Sequence, residues 1–202
     1  MKTFVECFNT ILCEDKEASR KAAREVRRLL YSSHRSQYKD IASIIENAPT
    51  EYEKLVEDWR QENFVMAISV LYFLHDREKQ PDFLFPWLYH LIRHPSGNIR
   101  FAAVRMFEHE IGPLTMHIRF PHEEVSPFRE LSAEQADRIL SEMFVNLISL
   151  INSLWKPIYN KYKYIYSLPS GPYKSVQMVL GRLAEDCGKE YMIRLERSLK
   201  MS

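Results

Sequence analysis

Residues 86–107 read PWLYHLIRHPSGNIRFAAVRMF, and this stretch decides the fold. The apolar run through Phe83 to Arg93 predicts a helix that ends before Pro95, because proline disfavours helical geometry in the residue preceding it. Ser96, Gly97 and Asn98 supply turn and cap chemistry, and a second helix is expected from Ile99 to Glu110, stopped by Gly112 and Pro113. Two short antiparallel helices of this kind cannot bury their own apolar faces, so the pattern implies neighbours of the same kind stacked on either side.

Outward from this unit the periodicity stays helical. Ala18, Ala22, Val26 and Leu29 recur at spacings of four and three and line one face of a helix whose remaining positions include Arg20, Lys21, Arg24, Arg27 and Arg28. Residues 62–74, ENFVMAISVLYFL, are apolar enough for a buried strand. Their length, the helix formers Met66, Ala67 and Leu71, and the lack of Gly or Pro favour a helix inside the stack. Ser132 followed by Gln135 forms a capping-box start to a long helix through Leu154, which Pro157 limits. The segment Leu168 to Pro172, LPSGP, is a break, and two more helices, from Tyr173 to Asp186 and on through Leu199, part near Gly188. No strand is needed, so the expected class is all-α. Residues 112–131, with Pro113, Pro121 and Pro127, read as an irregular loop of functional or covering role.

The unit also has echoes. Arg20-Lys21-Ala22-Ala23 repeats Arg100-Phe101-Ala102-Ala103 at an offset of 80 residues, Asn63-Phe64 with Ala67 repeats Asn98-Ile99 with Ala102 at an offset of 35, and Tyr173 to Leu183 is a weaker copy. Alanine at these sites lets helices approach closely while larger neighbours fill the flanks. Pro86 in the first helix, Pro95 in the turn, and Ile99, Arg100, Ala102 and Ala103 opening the second helix resemble a HEAT repeat, with Phe107 at its later apolar site. The family's usual turn aspartate is replaced here by His94, which removes the acid of the aspartate-to-arginine ladder that often links its repeats. The resemblance implies a right-handed α-α superhelix of about four to five helix pairs, a single armadillo-like domain over residues 1–202. It further implies a scaffold that binds a partner protein on its concave surface. In size and HEAT-like build the chain also resembles alkylpurine DNA glycosylases, which hold DNA on a basic concave surface. Their tryptophan-rich catalytic segment has no clear counterpart, since Trp87 lies in an aliphatic helix, Trp155 precedes Lys156-Pro157 and Trp59 follows Asp58 in an acidic helix. That likeness favours DNA binding without base excision.

The 28 Lys and Arg residues against 27 Asp and Glu leave a net charge of +1, so any electrostatic specialisation is local. Cys7, Cys13 and Cys187 form no Cys-x-x-Cys pair, and reduced thiols in a cytoplasmic protein are the simplest expectation. Glu6 interrupts the apolar N-terminal run and no small-residue cleavage site follows, so no signal peptide is expected. No apolar run approaches the ~18 residues of a membrane span.

Residues able to do chemistry are sparse in pattern. Glu108, His109, Glu110, His117, His122, Glu123 and Glu124 concentrate metal-type side chains, but no His-x-x-x-His pair occurs among them, and a solvated polar loop is expected rather than a metal site. No nucleophile elbow or phosphate-cradling glycine loop occurs, so neither a catalytic residue, a cofactor nor a small-molecule substrate is assigned. Two basic stretches stand out. One is Arg20, Lys21, Arg24, Arg27, Arg28, Arg35 and Lys39. The other lies in a window free of Asp and Glu between Glu142 and Glu185, where Lys156, Lys161, Lys163, Lys174 and Arg182 interleave with Tyr159, Tyr162, Tyr164, Tyr166 and Tyr173. A partner protein is thus the first expectation, and the alternative is nucleic acid held by the surfaces around 20–39 and 156–182. That alternative uses Arg20, Arg24, Arg27, Arg28, Lys161 and Lys163 on phosphates, with tyrosines stacking on bases.

Overall fold

A computed structural model describes residues 3–13, 15–32, 40–121 and 131–201, and among them every regular element is helical, with no strand. The α-helices are α1 (Phe4–Ile11), α2 (Lys16–Ser32), α3 (Ile41–Glu46), α4 (Ala48–Glu53), α5 (Asp58–Leu71), α6 (Phe85–Leu91), α7 (Gly97–Leu114), α8 (Met116–Arg119), α9 (Ala133–Leu154) and α10 (Pro172–Met201). The chain divides into two compact units, one of Met1–Arg77 with Leu84–Met106, the other of Glu78–Phe83 with Phe107–Ser202.

In the first unit α1 opens on a capping box. Thr3 Oγ1 accepts from the Glu6 amide at 3.1 Å, and Glu6 Oε2 accepts from the Thr3 amide at 2.8 Å. Phe4, Cys7, Phe8 and Ile11 of α1 are buried, as are Ser19, Ala22, Val26 and Leu29 on the facing side of α2. The second half of α5, Phe64 to Leu71, is buried or half-buried at every position, and the helix packs on α1, α2, α3 and α4, with Phe64 edge-on to Phe8 at 5.8 Å. Each Phe or Leu removed from water at such a site contributes about 1.5–3 kcal/mol.

The stretch that opened the reading folds as a helix, a turn and a helix, α6 and α7. Pro86 sits in the first turn of α6, where its missing N–H is not needed. Ile99, Ala102, Ala103 and Phe107 are fully enclosed, while Pro95 is exposed in the turn. Arg100 is buried, and its Nη1 donates to the carbonyls of His94 at 2.7 Å and Pro95 at 2.6 Å. Its guanidinium therefore ties the turn to the helix. Two polar links join neighbouring helices where an aspartate ladder is missing. Ser96 Oγ and Asn98 Nδ2 donate to the two oxygens of Glu62 at 2.8 and 2.6 Å, and Asn63 Nδ2 donates to Ser19 Oγ at 3.0 Å, which itself donates to the Ile11 carbonyl at 2.8 Å. Both carboxylate oxygens of Glu62 thus hold the start of α7 from α5.

In the second unit the helix α7 passes through Gly112 and Pro113 to Leu114 instead of stopping there. Beyond Pro113 the last carbonyls of α7 are capped from the following turn: the Thr115 amide and Oγ1 both donate to Ile111 O, at 3.0 and 2.8 Å, and Arg119 Nη2 donates to Gly112 O at 2.6 Å. The described part of residues 112–131 is therefore largely helical, with α8 following at once, while His122, Glu123, Glu124 and Pro127 lie outside the described residues. Helix α9 begins at the expected capping box, Ser132 Oγ accepting from Gln135 N at 3.2 Å and Gln135 Oε1 from Ser132 N at 2.9 Å. It buries Ala136, Ile139, Leu140, Met143, Phe144, Leu147 and Ile151 and packs against α10. Helix α10 bends at Gly188, whose φ of 75° lies in the left-handed region that a side chain disfavours.

Candidate functional site

Two surfaces carry the basic residues singled out in the sequence, and each is positioned by a different device. On α2 the buried positions Ser19, Ala22, Val26 and Leu29 fix the rotation of the helix, and this turns Arg20, Arg24 and Arg27 outward at spacings of four and three. All three are exposed and make no ion pair among the described residues. Arg28 is bonded to Glu25 on its own helix, and Lys21 lies 4.0 Å from Glu17. Lys16 and Tyr31, which the sequence reading passed over, extend the same stripe, and Tyr31 is 79% exposed. At 1.5 Å per residue the stripe runs about 22 Å. Arg35 and Lys39 lie outside the described residues.

The second surface is residues 155–168, between α9 and α10. Two 3₁₀ turns, Pro157–Lys161 and Ile165–Ser167, are joined by extended backbone at Tyr162 and Tyr164. The segment is pinned at several points. The Tyr159 ring stacks on Tyr173 with centroids 4.2 Å apart, Leu168 is buried, and Ile165 approaches Gly181 so closely that a Cβ there would lie 3.2 Å from Ile165 Cδ1. Lys174 Nζ donates to the carbonyls of Tyr166 at 2.8 Å and Leu168 at 3.1 Å. Lys174 is consequently a structural clamp, and Arg182 is paired with Asp186 at 3.1 Å on α10. The outward groups that remain are Lys156, Lys161 and Lys163, none of them ion-paired among the described residues, with Trp155, Ile158, Tyr164 and Tyr166 exposed beside them. Tyr164 and Tyr166 lie nearly parallel, 7° apart with centroids 5.3 Å from each other. Lys161 Nζ sits 5.1 Å from the Tyr162 ring centre and Lys163 Nζ 5.4 Å from that of Tyr164.

No family model, curated protein or solved structure matches the chain. A titratable cluster surrounds Asp137 on α9. Its Oδ1 accepts from Tyr191 OH at 2.5 Å and from His117 Nε2 at 2.9 Å, and its Oδ2 lies 3.1 Å from Arg194 Nη2. Burial alone would raise the Asp137 carboxyl, but the bonds from Tyr191 and His117 and the charge of Arg194 outweigh it and hold it below its ordinary value. Burial, then the bond to Asp137, pushes the Tyr191 phenol up. Cys187 is pushed up to about 12, chiefly by burial and then by Asp186 and Asp137, so its thiol stays protonated and unreactive. These three bonds to Asp137 tie α8, α9 and the second half of α10 together. This is an anchoring hub.

Among the described residues no three His, Cys, Asp or Glu side chains converge on a position for a metal ion. His90 and His94 have a four-residue spacing that the sequence reading missed, but His94 Nδ1 accepts from the Ser96 amide at 3.0 Å. Cys7, Cys13 and Cys187 form no disulfide. Trp87 is buried edge-on to Tyr52 at 5.8 Å and Trp59 lies under the Arg60 guanidinium at 5.2 Å, while Trp155 faces outward. Among the described residues no helix is long and apolar enough to cross a membrane. One apolar groove of about 530 Å³ opens between α9 and α10, walled by Phe144, Ile148, Ile151, Leu180, Met192 and Leu199.

Proposed function

We propose that this chain is a non-enzymatic, HEAT-like helical-repeat protein that binds nucleic acid through the α2 stripe and the strip at residues 155–168. The observation that carries the reading is that Arg20, Arg24, Arg27, Lys156, Lys161 and Lys163 all face outward without an ion pair among the described residues. Outward cations left without an ion pair suit a polyanion, whose bound counterions they displace. The repeat reading is supported by the hairpin of α6 and α7, with Ile99, Ala102 and Ala103 enclosed at its heart, and by the Glu62 and Asn63 links between adjacent helices. Cysteines that form no disulfide suit a cytoplasmic setting.

The test is fluorescence anisotropy of a labelled oligonucleotide at moderate salt. Wild-type protein binds, and Arg24→Glu with Arg27→Glu weakens binding at least tenfold with the thermal midpoint unchanged. Equal affinity of the reversed variant removes the α2 stripe from the reading. A second reading, a scaffold that docks a partner protein, is favoured by the apolar groove between α9 and α10. It predicts co-purification with a specific partner and no salt-sensitive affinity for DNA or RNA.

A further inference from the structure

The strip at residues 155–168 differs from the α2 stripe in one chemical respect: its cations are interleaved with exposed aromatic faces. A duplex presents phosphates to a protein and keeps its bases stacked away, so arginines on a helix suffice for it. Tyrosine faces are useful only to bases that are already unpaired. From the parallel rings of Tyr164 and Tyr166 we infer that this strip is a platform for single-stranded nucleic acid, an unpaired base stacking on Tyr166 while Lys161 and Lys163 hold the flanking phosphates. The inference rests on the nucleic-acid reading above and specifies which form of the polymer this strip takes.

Three features support it. Tyr166 is 75% exposed and Tyr164 50% exposed, so the pair offers a flat face that the fold does not use. The backbone that carries both rings is pinned, because Lys174 grips the carbonyl of Tyr166 and Ile165 between them is seated against Gly181, so less backbone freedom is lost on binding. Lys161 and Lys163 each hold Nζ over a tyrosine ring, 5.1 Å from the centre of Tyr162 and 5.4 Å from that of Tyr164, so cations and aromatic faces alternate within reach of one strand. No Asp or Glu occurs between Glu142 and Glu185 to repel them. Exposed Trp155 and Ile158 with lysines would also suit an anionic lipid surface. The strip, however, is built of 3₁₀ turns and extended backbone rather than an amphipathic helix with a continuous apolar face, which is how a chain lies in a bilayer interface.

The experiment compares three probes on the whole chain: a labelled 15-nucleotide single strand of mixed sequence, the same sequence as a blunt duplex, and vesicles of phosphatidylcholine with phosphatidylserine. The single strand should bind more tightly than the duplex. Tyr164→Ala with Tyr166→Ala should weaken the single strand about tenfold or more, since one stacked base is worth about 1–3 kcal/mol and 1.4 kcal/mol is tenfold. Duplex affinity should be unmoved, and Tyr164→Phe with Tyr166→Phe should restore single-strand binding, because the ring and not the hydroxyl stacks. If duplex and single strand bind alike, or the alanine pair leaves single-strand affinity unchanged, the platform is overturned while the nucleic-acid reading stands. If neither oligonucleotide binds, both fall, and vesicle binding in that case assigns the strip to a lipid surface.

Discussion

Arg20 and Arg100 occupy the same place in the same motif, Arg-x-Ala-Ala, yet the fold treats them in opposite ways. Arg100 is buried, its Nη1 shared between the His94 and Pro95 carbonyls, whereas Arg20 stands in solvent with no ion pair among the described residues. The difference lies in the turns before them. The turn ahead of α7 contains Pro95 and leaves two carbonyls pointing at the helix, and a long forked donor can satisfy both. The turn ahead of α2 is capped by Asp15, whose Oδ1 accepts from the Ala18 amide at 2.7 Å, and among the described residues Arg20 bonds to no carbonyl. A repeated motif therefore marks equivalent backbone positions but not equivalent roles. One arginine belongs to the architecture, and the other is available to a partner.

The largest expected effect is on the buried member of the pair. Arg100→Ala should cost about 2–3 kcal/mol in chemical denaturation, because two carbonyls lose a charged donor. Arg20→Ala should stay within about 0.5 kcal/mol, as an exposed unpaired side chain does. Equal losses at the two sites would break the comparison. Next comes Ser19, which sits at the position matching Ile99 and is fully buried. Ser19→Ala should cost about 1–2 kcal/mol, since it strands the Ile11 carbonyl and the Asn63 amide, whereas a stability change near zero would make that link incidental. A smaller effect concerns pH. Burial holds the His94 imidazole below its ordinary value of 6.5, outweighing the attraction of Asp58, and its unprotonated Nδ1 accepts from Ser96. Because the folded state binds that proton less well than the unfolded one, the contribution is complete above pH 6.5 and is lost as pH falls through the lower folded value. His94→Asn keeps an acceptor in place and should flatten the stability profile below pH 6.5. An unchanged profile would place the acid sensitivity elsewhere.

Much of the helical layout was legible from the residues. Pro86, Pro95 and the alanines located α6 and α7, Ser132 with Gln135 located the start of α9, and Gly188 the bend in α10. The passage of α7 beyond Pro113 was not legible, because Gly-Pro reads as a stop, and the caps that Thr115 and Arg119 place on its last carbonyls come from a turn that sequence alone does not show. Nor was the buried role of Ser19, which as a polar residue reads as surface until its two hydrogen bonds are seen. Of the basic residues, sequence spacing identified the stripe on α2 but could not separate Lys174, which clamps backbone carbonyls, or Arg182, paired with Asp186, from Lys161 and Lys163. Charge is visible in a sequence, but whether the fold has already consumed it is not.

The most direct test of the central claim is the salt dependence of oligonucleotide binding. If the six outward cations meet phosphates, the logarithm of affinity for a single strand should fall with the logarithm of salt concentration at a slope of about −2 to −4, roughly 0.7 for each contact made. Replacing Lys156, Lys161 and Lys163 together with alanine should make that slope shallower by about 2. An affinity indifferent to salt, or a slope unchanged by the triple replacement, would contradict the account.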